Sequence, residues 1–205
     1  MDGEVGNIYM ITPQLNILPY DGKLEYYPSI FSAEEKEYYY NNLFHKIAWE
    51  NDVIKMFGKE FITKRKVGWY GLKNYEYTYS KSTKRAHPFP VFLQDILNKV
   101  EHYSKESFNS CLLNLYHSGE EGMAYHSDNE KELKKNGCIA SVSFGAERKF
   151  SFKHKTSKER IDINLENGSL LLMSGEIQDK WMHALPKTKR IDTPRINLTF
   201  RTIIT

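Results

Sequence analysis

Cysteine is scarce. Cys111 and Cys138 are the only two in 205 residues, which excludes a disulfide scaffold and any zinc site built on several thiolates. Two free thiols fit a reducing compartment, so the cytoplasm is expected, or the nucleus in a eukaryote. Long apolar runs are missing too: Leu170-Leu171-Leu172-Met173 is typical of those present, far short of the roughly 20 residues a membrane helix needs. No membrane partner is expected. The start, Met1-Asp2-Gly3-Glu4, has neither the basic nor the apolar stretch of a secretory signal, and no targeting or partner-binding extension is expected ahead of the domain. Repeats, Gly/Ser linkers and low-complexity segments are absent as well. The expectation is one monomeric globular domain over residues 1–205.

Apolar residues make up 40% and charged residues 27%, which is globular rather than disordered or fibrous. The formal charge of +3 averages over unlike blocks. Residues 1–52 carry three Lys/Arg against nine Asp/Glu, and residues 53–87 carry nine against two. Residues 88–145 carry five against eight, and 146–205 carry twelve against seven. The basic block also holds Trp69, Tyr70, Tyr75, Tyr77 and Tyr79. Cations for phosphates among aromatic faces for bases suit a nucleic-acid surface. From charge alone, a solvated Lys-rich hairpin suits the block equally well.

Two stretches read as helices. One opens at Ser32, with Glu35 three positions on as a capping box, and runs through Tyr38–Lys46. The other follows Pro88 and Pro90, with Phe92, Ile96, Val100 and Tyr103 as its apolar stripe. From about Phe108 the period changes to short β-rich runs between turn signals: Cys111–Tyr116, Ile139–Phe144, Lys149–His154, Arg160–Leu165, Ser169–Met173 and Arg195–Ile204. The fold class expected is α+β, an antiparallel β-sandwich or barrel with the two helices on one outer face.

The last of these strands carries the most chemistry. Side chains alternate at period two, so Ile196, Leu198 and Phe200 share one face and Arg195, Asn197, Thr199 and Arg201 the other. A polar face in water explains this pattern, as does a set of donors for both carboxylates of a small diacid. Asn114 and Tyr116 alternate with Leu113 and Leu115 in the same way and can donate to an oxygen-rich ligand. In His126-Ser127-Asp128, extended chain lets the imidazole and the carboxylate reach one ion, and His183 stands 55 residues downstream. Two His and one carboxylate form the facial triad of non-haem Fe(II) oxygenases, although a later His partner is expected by chance in a chain with seven. Local signatures for Cys–His or Ser–His–Asp catalysis are absent.

Taken together, Phe108-Asn109, Asn114-Leu115-Tyr116, His126-Ser127-Asp128-Asn129-Glu130, Ala140-Ser141-Val142-Ser143-Phe144-Gly145-Ala146, Gly168-Ser169-Leu170-Leu171-Leu172-Met173, His183 and Pro194-Arg195-Ile196-Asn197-Leu198-Thr199-Phe200-Arg201 resemble the AlkB family. These are Fe(II)- and 2-oxoglutarate-dependent dioxygenases that repair alkylated nucleic acids. The likeness covers roughly residues 56–204. It implies a double-stranded β-helix (jelly-roll) core over about 108–204, flanking helices, and a nucleotide-recognition lid over about 53–87.

The resemblance implies that His126, Asp128 and His183 hold Fe(II). It implies that Arg195 and Arg201 bind the carboxylates of 2-oxoglutarate, with Asn114, Tyr116 and Asn197 adding hydrogen bonds and Thr199 a lesser contact. Dioxygen is then the second co-substrate, and oxidation of 2-oxoglutarate to succinate and CO2 drives hydroxylation of an N-linked methyl on a base such as 1-methyladenine or 3-methylcytosine. The hydroxylated methyl leaves as formaldehyde. Such lesions are cationic and pair badly, so they are easily extruded; Glu130 is the candidate carboxylate for that charge, or else an idle exposed side chain.

In the lid, Tyr77-Thr78-Tyr79-Ser80 resembles the family's base-pocket strand, with Tyr77 lining the pocket and Tyr79 on the same face. Met56-Phe57-Gly58-Lys59 resembles the wedge hairpin of the duplex-acting branch, where an aromatic enters the stack. Phe57 would be that wedge, with core burial as its alternative, and Lys59, Lys64, Arg65 and Lys66 would meet phosphates. Asn129 stands where a duplex-acting relative often has a second acid, and Trp69-Tyr70-Gly71, Phe108-Asn109-Ser110 and Phe200-Arg201-Thr202 are as similar to the branch that prefers single strands and RNA. The expected partner is alkylated DNA. The alternatives are an RNA demethylase, an oxygenase that hydroxylates a protein or small molecule, and, ranked last, a non-enzymatic binding module with a vestigial metal site.

Overall fold

The computed structural model describes residues 16–56, 59–73, 75–79 and 82–204. In chain order the elements are β1 (Lys23–Tyr27), α1 (Ala33–Lys46), β2 (Glu50–Met56), β3 (Lys59–Gly71), β4 (Glu76–Tyr79), β5 (Ser82–Arg85), β6 (His87–Pro88) and α2 (Val91–Ser104). They continue as β7 (Ser110–Tyr116), β8 (Met123–His126), β9 (Ile139–Gly145), β10 (Arg148–His154), β11 (Arg160–Leu165), β12 (Leu170–Ser174), α3 (Ile177–Lys180), β13 (Trp181–Leu185) and β14 (Arg195–Arg201).

A large sheet runs β1-β12-β9-β14-β7-β3-β2 with the short β6 beside β3, and a four-stranded sheet runs β11-β10-β13-β8. All pairs are antiparallel except β3 with β6. The two sheets form the jelly-roll core, and β4 with β5 makes a separate ribbon. Period-two alternation divides the large sheet between two apolar clusters. Leu113, Leu115, Val142, Phe144, Ile196 and Leu198 face the helices, meeting Leu43 of α1 and Leu93, Ile96 and Leu97 of α2. Leu24, Ile139, Leu171 and Met173 face the small sheet and meet Phe152 and Trp181 there.

The two helices sit where the sequence places them. Ser32 Oγ accepts from Glu35 N–H at 3.2 Å while Glu35 Oε2 accepts from Ser32 N–H at 2.7 Å, and Lys99 of α2 reaches Glu35 at 2.6 Å. The capping carboxylate therefore also ties the helices together. Gly145 ends β9 at φ +84°, and a Cβ there would stand 2.5 Å from the Pro194 carbonyl; glycine lets β9 turn against the chain entering β14.

Besides β7, β9–β12 and β14, which match the six expected runs, the structure has β1, β8, β13 and the strands β2–β6. The last expected strand stops at Arg201 rather than Ile204, with Ile203 making only a bridge to Leu133. The segment expected as the lid holds most of the β2–β3 ribbon, β4–β5 and the start of β6. Its Phe57 lies outside the described residues, and for Lys59, Tyr77 and Tyr79 only the backbone, in β3 and β4, is described. Among the described residues no helix is long and apolar enough to cross a membrane.

Cap and core predict different sensitivities. Ser32→Ala is expected to lower stability by about 1 kcal/mol, and Phe144→Ala, emptying a fully buried site, by about 3–5 kcal/mol. Urea denaturation of both variants checks this, and equal losses would contradict the assignment of Phe144 to the core.

Candidate metal and diacid site

The polar face of β14 points into the space between the sheets, not into water. Arg195 is 2% exposed and Arg201 8%. Across the ladder Arg195 pairs with Tyr116 and Asn197 with Asn114 on one side, and Asn197 with Ser143 and Thr199 with Ser141 on the other. Arg195 Nη2 donates to Ser143 Oγ and to Asn197 Oδ1, both at 2.9 Å. Ser141 Oγ–H donates to the same Asn197 oxygen at 2.9 Å, and Asn197 Nδ2 donates to Thr199 Oγ1 at 2.8 Å.

Arg195 nevertheless lacks a counter-ion: among the described residues no carboxylate pairs with it. Burial brings its guanidinium down to about 10, which still leaves it charged at neutral pH. Its Nε, like that of Arg201, is buried without a partner. A buried cation of this kind is costly unless an anion meets it. Arg195, Asn114 and Tyr116 line a cavity of about 60 Å³ together with His126, Asp128 and His183, so a small dianion would sit beside those three.

The small sheet brings the other three side chains together. His126 of β8 and His183 of β13 are paired across the ladder, with ring centroids 4.3 Å apart at 66°. Asp128, just past β8, places Oδ1 3.7 Å from His126 Nε2. One potential ligand atom from each residue lies within 4.8 Å of the others. Neighbouring groups orient them. His126 Nδ1–H donates to the Ala124 carbonyl at 2.9 Å, leaving the Nε2 lone pair free for a metal. Ser127 Oγ–H donates to the Trp181 carbonyl at 2.9 Å, and Gln178 Oε1 accepts from Asp128 N–H at 2.9 Å. Two imidazoles and a carboxylate with an open side fit divalent iron.

A second cavity of about 260 Å³ opens beside the first, walled by Trp69, Tyr75, His87 and Glu130, with Leu112 and Arg201 on the shared side. Glu50 and Glu132 also line it. Its walls suit a flat ring, and its carboxylates suit a cationic one.

The basic run on β3 divides by strand alternation. Lys64 is exposed on a groove that Lys187 and Lys189 also line, and Lys66 is half-buried with its Nζ–H donating to Asn51 Oδ1. Arg65 differs from the expectation of a phosphate contact. It is 8% exposed and ion-paired to Asp52, because the middle residue of Lys64-Arg65-Lys66 faces inward. Its guanidinium lies 5.8 Å from the centre of the Tyr116 ring, which Arg195 also approaches at 5.7 Å.

Ser141, Ser143, Gln178, Trp69, Tyr75 and His87 were not expected site residues. The Ser-x-Ser alternation between Ala140, Val142 and Phe144 was a signal for the first two. Nothing local marks Gln178.

The chain matches the family model described as the 2OG-Fe(II) oxygenase superfamily over residues 23–201. It is 35% identical over 188 residues to human alpha-ketoglutarate-dependent dioxygenase alkB homolog 3, covering 86% of this chain and 65% of that protein. To mouse DNA oxidative demethylase ALKBH2 it is 38% identical over 159 residues, covering 74% of this chain and 66% of the relative. The chain thus spans just under two thirds of the length of these relatives. The solved structure of OsALKBH1 shares the fold with a TM-score of 0.62 at 16% identity, covering 92% of this chain and 99% of that one.

Burial holds the His183 imidazole down at about 4, against an ordinary 6.5. Below pH 6.5 the unfolded chain takes up a proton that the folded state refuses, so this contribution to stability is lost as the pH falls from 6.5 to about 4. The expected slope reaches about 1.4 kcal/mol per pH unit. Urea denaturation of metal-free protein across that window, against His183→Gln, checks it; matching curves would remove the effect.

Proposed function

Because the chain belongs to the 2OG-Fe(II) oxygenase superfamily, as an AlkB-like member, we propose that it is an Fe(II)- and 2-oxoglutarate-dependent dioxygenase that removes alkyl groups from bases of nucleic acid. The observation that carries this reading is the adjacency of the His126, Asp128 and His183 cluster, the unpaired buried Arg195 and the aromatic cavity walled by Trp69 and His87.

His126, Asp128 and His183 would hold the iron, which when bound supplies oxidising power from dioxygen and 2-oxoglutarate. Arg195 would take one carboxylate of the diacid and Arg201 the other. Asn114, Tyr116 and Asn197 orient it by hydrogen bonds, with Thr199 fixing the Asn197 amide. Tyr116, held between the Arg65 and Arg195 guanidiniums, would keep its hydroxyl aimed at the diacid. Phe150, 5.4 Å from the His183 ring, and Leu185 keep that side of the cavity dry.

The extruded base would lie between Trp69 and His87 with Glu130 beside it, and Tyr77 and Tyr79 are proposed to close the pocket. Hydroxylation of its N-methyl gives a hemiaminal that breaks to formaldehyde and the plain base. DNA is the favoured polymer. The β2–β3 ribbon displays Val53, Phe61 and Ile62 at 47%, 47% and 70% exposure, an apolar edge suited to entering a stacked duplex, with Lys59, Lys64 and Lys66 flanking it. RNA is the alternative, and a monomer in the cytoplasm or nucleus fits either polymer.

The test is a panel of 1-methyladenine, 3-methylcytosine and etheno-adduct oligonucleotides, single- and double-stranded. Iron-loaded protein with 2-oxoglutarate is expected to release formaldehyde from the methylated members, and Asp128→Ala to fall to background. No turnover on methylated DNA or RNA would end this reading. On the same panel Phe57→Ala is expected to lose more activity on duplex than on single strands; equal loss on both, or none, removes the wedge.

A further inference from the structure

Arg201 stands where three cavities meet. It lines the diacid cavity beside Asn197 and Thr199, the aromatic cavity beside Trp69 and His87, and a third of about 350 Å³ behind Asp128. Its side chain is 10% exposed, and Nη1 donates to Glu130 Oε1 at 3.2 Å. Glu130 lines the aromatic cavity with its side chain 47% exposed. The one guanidinium therefore faces two claimants: the Glu130 carboxylate, which it holds now, and a carboxylate of the diacid.

A guanidinium shared between two anions binds each less strongly than it would bind either alone, because its charge and its planar fork of donors are divided. While Arg201 neutralises Glu130, a cationic base entering the aromatic cavity meets a carboxylate that is already satisfied. Once a diacid draws on Arg201, Glu130 needs another cation, and the alkylated base is the one within reach.

We propose that the Arg201–Glu130 pair makes selection of a cationic alkylated base depend on the bound diacid: 2-oxoglutarate engages Arg201 and releases Glu130 to the base. This rests on the dealkylase reading and adds a link between its two substrates. The link is reciprocal, since a base that draws Glu130 away must tighten 2-oxoglutarate by the same factor. It is also selective, because a neutral lesion has no charge for the freed carboxylate to meet.

Binding without turnover tests it. Anaerobic iron-loaded protein is titrated into fluorescent single-stranded oligonucleotides carrying 1-methyladenine, which is cationic, 1,N6-ethenoadenine, which is neutral at neutral pH, or plain adenine. 2-Oxoglutarate is expected to tighten the 1-methyladenine oligonucleotide by about fivefold or more and leave the other two unchanged. Glu130→Gln is expected to remove that difference.

A second measurement needs no nucleic acid. By calorimetry Glu130→Gln is expected to bind 2-oxoglutarate about threefold more tightly, since Arg201 is no longer shared, whereas a variant that had only lost structure would bind it more weakly. Equal tightening of all three oligonucleotides, coupling that persists in Glu130→Gln, or unchanged or weaker 2-oxoglutarate binding by that variant would each overturn the link. If 1-methyladenine is preferred over adenine regardless of 2-oxoglutarate, the link falls and the dealkylase reading stands. If methylated oligonucleotides give no formaldehyde, both fall.

Discussion

The structure is organised around a buried cation without a protein anion. Arg195 sits on a central strand of the large sheet, between β7 and β9, with hydrogen bonds to Ser143 and Asn197 and no carboxylate partner among the described residues. Desolvating a guanidinium this far is expensive, and neutral hydroxyl and amide oxygens recover part of the loss. An anion bound beside it would recover more. The polar face of β14 is therefore a constraint written into the core, since β14 cannot shift register by one residue without putting Arg195 and Arg201 among the helix-facing leucines.

The same alternation lets one strand serve two interiors. Ile196, Leu198 and Phe200 lock β14 to the helix layer, which fixes the opposite face to within the tolerance of a packed core. The candidate metal ligands come from the other sheet, where the β8–β13 ladder fixes the two imidazoles, and the Gln178 amide and Ser127 hydroxyl hold the segment carrying Asp128. Two rigid sheets thus face each other, one bringing nitrogen and carboxylate ligands and the other cations. Their separation is set by the apolar cluster around Phe152, Trp181 and Met173.

How much of this could be read from the sequence follows from local periodicity. The β14 alternation and the Ser32 capping box are complete in a few consecutive residues, so both were legible. The β13 strand was not: Trp181-Met182-His183-Ala184-Leu185 is buried at four of five positions, and a strand covered on both sides shows no alternation. Glu130 and Arg201 lie 71 positions apart, and only the tertiary fold pairs them. The positive block of residues 53–87 was a sum over two faces of a strand; it could not say that Arg65 turns inward to Asp52 while Lys64 stays outside. Aromatic residues named for one cavity, Trp69 and Tyr75, also carried no mark that separated lining from packing.

Charge balance ties these pieces together. Arg201 pairs with Glu130 while Asp128 lines the cavity that Arg195 also lines, so the four side chains sum formally to zero. A divalent metal and a dianionic co-substrate bring equal and opposite charge and leave that balance unchanged. What would change is which charges face one another: the two cations would turn to the diacid and Asp128 to the metal, leaving Glu130 as the one of the four groups with no new partner. It lines the aromatic cavity, where a base would arrive. A preference for a positively charged ring would then follow from the charge left on Glu130.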